Sequence, residues 1–419
     1  MPILIIFISL MGTLAAYFMV ARRDGSWVNV LTPIYLTFVP AYYLLELLNI
    51  HYFGYSGSTM AYTLCYVTYA INFIVLAWVY SRIKVPRVRL PFNTPFRIRW
   101  LPYIVLSLSV VVYLPILFEF SELLMHPRQI YVQTRSGYGH MFFVSTALTF
   151  LAFILMLFKK RSFVGEKVLF FLVCFLLCLM HGSKGQVVQL IFMAMMYRVY
   201  VRGLRVQLRG ALLIVGAFAI VMSGLFALLR SSSGDPGDSL AMVLASYSDY
   251  NRNAMMLIDD EPELHYGRLT LQQNIYTRVP RVLFPDKPKN WGTFYLAQKY
   301  YPVWFEKETG APSFGILGVP YADFGYLAVF YLLAWAAVTG LMLRLFVNRV
   351  SRNGNPSDFV MVLFLCSVSV IPGGMGYLLI DHLILAAMLA VVLRLRWSVF
   401  GIRQSEKVQV GLSPEAAGG

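Results

Sequence analysis

Long apolar runs separated by short polar connections fill most of the chain, and their lengths predict helices rather than strands. Runs at 2–20, 28–50, 62–80, 100–118, 141–158, 168–180, 187–200, 211–229, 324–345, 359–371 and 377–395 each read as a span. About 20 apolar residues at ~1.5 Å per residue cross a hydrocarbon core of ~30 Å. The pattern therefore predicts an all-α polytopic membrane protein with about eleven transmembrane helices. Residues 2–20 are followed by Ala-Arg-Arg-Asp24, a poor cleavage context, so they read as a span and not as a removable signal.

Three of the runs, 168–180, 187–200 and 359–371, are too short to cross on their own. The first two flank the turn His181-Gly-Ser-Lys-Gly-Gln186, and the third leads into Pro372-Gly-Gly-Met-Gly376. Irregular backbone at membrane depth is tolerated only where protein buries it or where it lines a wet cavity. The two breaks predict a recess between helices.

One polar stretch, 230–313, interrupts this rhythm and has room for extramembrane structure. It opens with Ser231-Ser-Ser-Gly-Asp-Pro-Gly-Asp238, and a helix is expected over 239–258. Its densest part is Tyr276-Thr-Arg-Val-Pro-Arg-Val-Leu-Phe-Pro-Asp-Lys-Pro288. The chain divides into the first eight helices (1–229), a loop or lid (230–323), the last three helices (324–396) and a tail expected to be disordered (397–419). No internal repeat is visible.

Composition agrees with the pattern. The chain of 419 residues is 58% hydrophobic and 13% charged, a balance that leaves too little polar surface for a soluble domain. The four cysteines, Cys65, Cys174, Cys178 and Cys366, all lie in apolar runs, so the polar loops have no disulfide framework.

The net charge of +15 matters less than its placement. Arg22, Arg23, Arg82, Lys84, Lys159, Lys167, Arg198, Arg202, Arg205, Arg349 and Arg352 fall in alternate connections, whereas the intervening short loops hold only Arg128, Arg135 and Lys184. The positive-inside rule puts the basic set in the cytoplasm and the long insertion outside. The ordinary work of that set is topology and contact with anionic lipid, and no nucleic acid is implied.

Candidate chemistry then collects on the outer side. All six histidines map there or to outer helix ends, and none has metal-ligand spacing with another. Arg128, Arg268, Arg278 and Arg281 are among the outer arginines, and a site for a diphosphate needs two or three such groups. Arg278 and Arg281 share a face if their segment is helical; interfacial arginines meeting headgroups are the alternative. Lys184 sits in a glycine turn, where a sunken ammonium calls for an anion. His265, Asp323 and Asp381 are candidates for a general base, with structural hydrogen bonding the alternative for Asp381. Trp291, Tyr295, Tyr300, Tyr301 and Trp304 read either as sugar-stacking platforms or as interface anchors.

At these residues the chain resembles the oligosaccharide repeat-unit polymerases, the Wzy-type O-antigen polymerases of bacterial envelopes. Tyr266-Gly-Arg268, Val279-Pro-Arg281 and Phe284-Pro-Asp-Lys-Pro288 look like that family's large-loop signature. Pro312-Ser-Phe-Gly315 and Tyr321-Ala-Asp-Phe-Gly325 look like the segment entering the next helix. His181-Gly-Ser-Lys-Gly185 is similar to a family turn that commonly has arginine where Lys184 stands. Arg128 to Gly139 and Arg281 to Gly292 match the arginine–glycine separation of some members.

The resemblance implies a GT-C-like polymerase–ligase architecture in the bacterial inner membrane, with its active site facing the periplasm. The implied substrate is an undecaprenyl-diphosphate-linked oligosaccharide. Arg281 and Arg278, then Lys184, Arg268 and Arg128, would hold the diphosphate, with no metal or other cofactor. A separate chain-length regulator is an expected partner. O-antigen ligases share the architecture and remain the near alternative. A flippase for lipid-linked sugars is the alternative from another class, disfavoured by the absence of inverted repeats.

Overall fold

The structure is a computed structural model that describes residues 1–83, 100–134, 138–159, 162–230, 240–246, 248–277, 279, 284–306, 312–368, 384–385 and 387–389. Among the described residues every regular element is a helix. In chain order these are α1 (Pro2–Asp24), α2 (Thr32–Val39), α3 (Leu45–Phe53), α4 (Thr59–Arg82), α5 (Leu101–Glu119), α6 (Pro127–Gln133), α7 (Gly139–Phe158), α8 (Val164–Met180) and α9 (Lys184–Met196). They continue with α10 (Leu208–Arg230), α11 (Leu240–Ser246), α12 (Asp249–Asp259), α13 (Arg268–Tyr276), α14 (Thr293–Tyr300), α15 (Pro302–Glu306), α16 (Gly318–Phe324), α17 (Ala328–Asn353) and α18 (Pro356–Val368).

Among the described residues six helical stretches are long and apolar enough to cross a membrane: Pro2–Asp24, Thr32–Phe53, Thr59–Arg82, Leu101–Glu119, Gly139–Phe158 and Gly318–Asn353. They coincide with six of the expected runs, and the chain is a multi-pass membrane protein. The runs at 168–180, 187–200, 211–229 and 359–371 fall on α8, α9, α10 and α18. Most of the last run, the Pro372–Gly376 break and the tail lie outside the described residues.

Local chemistry explains the irregularities. The run at 28–50 is a single rod with a π-turn at Pro40–Leu44, because proline has no N–H to donate and the ladder must slip past it. The helix expected over 239–258 is instead two, α11 and α12, interrupted around Ser248. Its side chain is drawn away to a carboxylate on α3.

In lipid there is no hydrophobic drive between helices, so small residues and hydrogen bonds mark where they meet. Ser9 and Thr13 of α1 bond the Tyr43 hydroxyl at 2.7 and 2.8 Å, and Ser9 also donates to the Tyr66 carbonyl of α4. A Cβ at Gly340 of α17 would meet the Leu76 carbonyl of α4 at 2.7 Å, so only glycine permits that approach. Between α5 and α7, Ser109 bonds both Ser145 and Thr149. These contacts hold α1, α4 and α17 as one layer and α5 with α7 as another.

Candidate functional site

The turn between α8 and α9 is sunk in the second layer. His181 is fully buried, with Nε2 3.0 Å from Ser145 Oγ and Nδ1 2.8 Å from Gln186 Oε1. Ser145 lies six residues into α7, so the turn sits roughly 9 Å below that helix's start at ~1.5 Å per residue. Tyr113 of α5 donates to the Met180 carbonyl at 2.8 Å, and its ring packs edge-on to His181. Both imidazole nitrogens are thus engaged by protein.

Gly182 adopts φ +65°, and a Cβ there would come within 2.1 Å of the Pro127 carbonyl oxygen and 3.1 Å of the Arg128 nitrogen. The missing side chain lets the first turn of α6 lie directly on the 181–184 turn. Two sequence candidates, Arg128 and the Lys184 turn, therefore meet. Arg128 is half-buried and stacks over Tyr131 at 4.9 Å. Lys184 begins α9, and its side chain lies outside what is described.

The second group of candidates lies on the insertion. Tyr266 and Gly267 both have left-handed backbone, φ 51° and 86°, directly before α13. A tyrosine there is strained, and such strain persists only where the surroundings impose it. Here the surroundings are α16: His265 N–H donates to the Ala322 carbonyl at 3.1 Å and Tyr266 N–H to the Asp323 carbonyl at 2.8 Å. The Tyr266 side chain is 83% exposed.

Asp323 itself is fully buried, and its two carboxylate oxygens accept from Leu269 N–H at 3.0 Å and Thr270 N–H at 2.7 Å. It fills the anion slot at the start of α13. That arrangement makes Asp323 a cap for α13, and its lone pairs face backbone donors instead of solvent.

With the helix start filled by Asp323, Arg268 projects outward. Its Nη2 donates to His265 Nδ1 at 3.2 Å, and its guanidinium lies 5.6 Å over the Tyr295 ring, which His265 also meets edge-on at 4.8 Å. Partial burial and then the Arg268 charge lower the pKa of His265 below its usual 6.5. His265, Arg268 and Tyr295 form one surface cluster, half-open to solvent, holding a neutral imidazole beside a cation.

The Phe-Pro-Asp-Lys-Pro segment folds back on the far end of α13. Lys287 Nζ donates to the Tyr276 carbonyl at 2.5 Å and to the Val279 carbonyl at 3.1 Å, and it sits 4.9 Å over the Trp291 ring. Lysine at a helix C-terminus satisfies orphan carbonyls and complements the dipole. Arg278 and Arg281 lie outside the described residues, as does Asp381. The described residues on either side of that stretch are tied together by Lys287.

The remaining family-like motifs anchor the insertion. Asn253 Nδ2 donates to the Ser313 carbonyl at 2.9 Å, and Gly315, at φ +65°, lies so near the Tyr250 carbonyl that a Cβ would reach it at 2.8 Å. On the opposite side of α12, Asn251 Nδ2 donates to the Tyr42 carbonyl and the Tyr66 hydroxyl, each at 2.9 Å. Glu46, buried on α3, accepts from the Tyr62 hydroxyl at 2.8 Å and from Ser248. Ser58, which caps α4, donates to both oxygens of Asp259.

These contacts correct one expectation. Trp291 is buried beneath Lys287 and is no open platform, while the half-buried Tyr300 and Tyr301 donate their hydroxyls to Asp260 and Asn253. Asn251 and Asn253 were not singled out from sequence, and Lys287 entered only as part of the Phe284–Pro288 motif. The available signal was an Asn-x-Asn pair, whose side chains point to nearly opposite sides of a helix. Among the described residues, no three or more His, Cys, Asp or Glu gather as a metal would need.

Comparison with known proteins gives the chain two curated relatives, both called O-antigen polymerase, from Salmonella typhimurium (strain LT2) and Salmonella typhi. Each is 31% identical over 383 residues, spanning 90% of this chain and 91% of the relative. No family model and no solved structure matches the chain.

Proposed function

The chain belongs to the O-antigen polymerase family, and we propose that it joins undecaprenyl-diphosphate-linked oligosaccharide repeat units at the periplasmic face of the inner membrane. An acceptor sugar hydroxyl attacks the anomeric carbon of the growing chain. The new C–O bond forms as the bond from that carbon to the diphosphate oxygen breaks, and undecaprenyl diphosphate leaves with the electron pair. The hydroxyl proton passes to a base. The donor is already activated, so cations for the leaving group and one base suffice.

The observation that carries this reading is the His265–Arg268 pair. Arg268 donates to His265 Nδ1, so the imidazole's lone pair is occupied. A diphosphate would draw Arg268 away by charge-assisted, bidentate bonding. That release frees Nδ1 to accept the hydroxyl proton, and the new anion nearby strengthens its basicity. The base becomes competent only once the donor is bound. Asp323 then has a positioning role: by capping α13 it fixes where Arg268 begins.

Arg278 and Arg281 complete the diphosphate site in this proposal, with Arg128 and Lys184 as further cations from the sunken turn. Asp381 remains a second candidate base. The insertion acts as a lid over an eleven-helix, GT-C-like frame, and a chain-length regulator would act on this protein from outside its site.

Deleting the gene and examining the surface glycan tests the assignment. A polymerase mutant displays core bearing a single repeat. Loss of even the single repeat would overturn the proposal in favour of a ligase or a flippase.

A further inference from the structure

At the basic end of the bundle, a groove of about 780 Å³ runs between α7, α8 and the π-turn Tyr197–Val201 that ends α9. Its wall on the membrane side is apolar, with Leu157, Val168 and Phe171. Its rim carries Lys167, Arg198, Arg202 and Arg205, and among the described residues no acid lines it. Glu166 is next to Lys167 in sequence, but its carboxylate is held by Lys159 and the Tyr103 hydroxyl. Lys167 itself is fixed, donating to the Leu157 carbonyl at 2.8 Å and lying 5.6 Å from the Tyr197 ring centre. Arg202 and Arg198 are close enough to repel its charge, an effect that Glu166 offsets in part, and among the described residues no ion pair engages any of the three arginines.

Four clustered cations at the rim of an apolar groove leave an electrostatic deficit that an amphiphilic anion fits. The volume suits a headgroup with the start of its chains and exceeds what a lone phosphate fills. The groove also opens along the outward surface of α8, where Val164 is 69% and Val168 50% exposed in a segment flanked by membrane helices. A water-soluble anion would gain nothing from that wall. We propose that this groove is a binding site for an anionic phospholipid, the phosphate on Arg198, Arg202, Arg205 and Lys167 and an acyl chain along Val168 and Phe171.

The test is native mass spectrometry of the full-length chain, purified in mild detergent and titrated with phosphatidylglycerol or phosphatidylcholine. The wild-type protein should retain phosphatidylglycerol at least tenfold better than phosphatidylcholine. Arg198→Gln with Arg202→Gln should lose that preference, whereas Arg198→Lys with Arg202→Lys keeps it. Lys289→Gln with Lys299→Gln removes the same charge from the insertion and should leave it unchanged. Val168→Trp fills the groove without touching a charge and should weaken retention about as much as the double glutamine variant. No preference in the wild type, equal losses in both glutamine pairs, or full retention by Val168→Trp with inorganic phosphate as an equal competitor would each overturn the proposal.

Discussion

Two histidine-bearing turns, one on the frame and one on the insertion, look alike in sequence and differ in kind. His181-Gly182 and His265…Gly267 each place an imidazole near a left-handed glycine and a cationic residue. His181 is fully buried and both nitrogens are spent on Ser145 and Gln186. His265 is partly open, and a single long contact to an exposed arginine occupies one nitrogen. Burial that consumes every polar atom makes a strut, whereas partial burial beside an exposed cation makes a group that can still react.

The contrast can be broken at several points. The largest effect should come from Gly182→Ala, because a methyl cannot coexist with a backbone oxygen at 2.1 Å and φ is positive. The protein should fail to accumulate in membranes, as read by quantitative blotting. Wild-type abundance would show that the sunken turn is not a structural joint.

His265→Ala should leave abundance and thermal unfolding unchanged while polymerisation falls about 10²–10⁴-fold, the usual worth of a positioned base. If unfolding shifts as far as it does for His181→Ala, the two turns are the same kind of object after all.

Smaller again is Asp323→Ala. It leaves the Leu269 and Thr270 amides unpaired inside the protein, at a cost on the order of 3 kcal/mol. Denaturant or thermal melts in detergent should show it, with lost activity recovering in part at low temperature. An activity loss with no change in melting would restore Asp323 as a base.

The finest probe is pH. The folded pKa of His265 is below 6.5, so the imidazole is neutral above that value and begins to charge only as pH falls through its lowered pKa. The acidic limb of kcat/KM, which reports the protein before the donor binds, should therefore lie below pH 6.5. Arg268→Gln removes the second-largest cause of the shift, so the limb should move up towards 6.5, by less than the whole shift because burial remains. A limb that stays put means another group carries the proton.

Sequence pattern reached the multi-pass helical frame and the sunken turn, because span length is a one-dimensional property set by membrane thickness. It placed Arg128 and the 181–184 turn on the same side, and the structure brings them into contact. It did not separate His181 from His265, since composition is blind to which nitrogens find partners. Nor did it foresee that Glu46 would bond Ser248 and Asn251, two residues more than 200 positions away. Hydrophobic periodicity reports which face of a helix is buried, and a polar pair between distant helices leaves no periodic trace. The partners of the later tyrosines were hidden for the same reason: Tyr301 and Tyr300 have their hydroxyl acceptors on α12 and just beyond it.

The most direct test uses the purified chain in liposomes with an undecaprenyl-diphosphate-linked repeat unit as its sole substrate. The products are separated by length, and released undecaprenyl diphosphate is counted. The account predicts a ladder of repeats, with one undecaprenyl diphosphate freed per bond formed. A substrate that crosses the bilayer unextended, or that is extended without release of the lipid diphosphate, would contradict it.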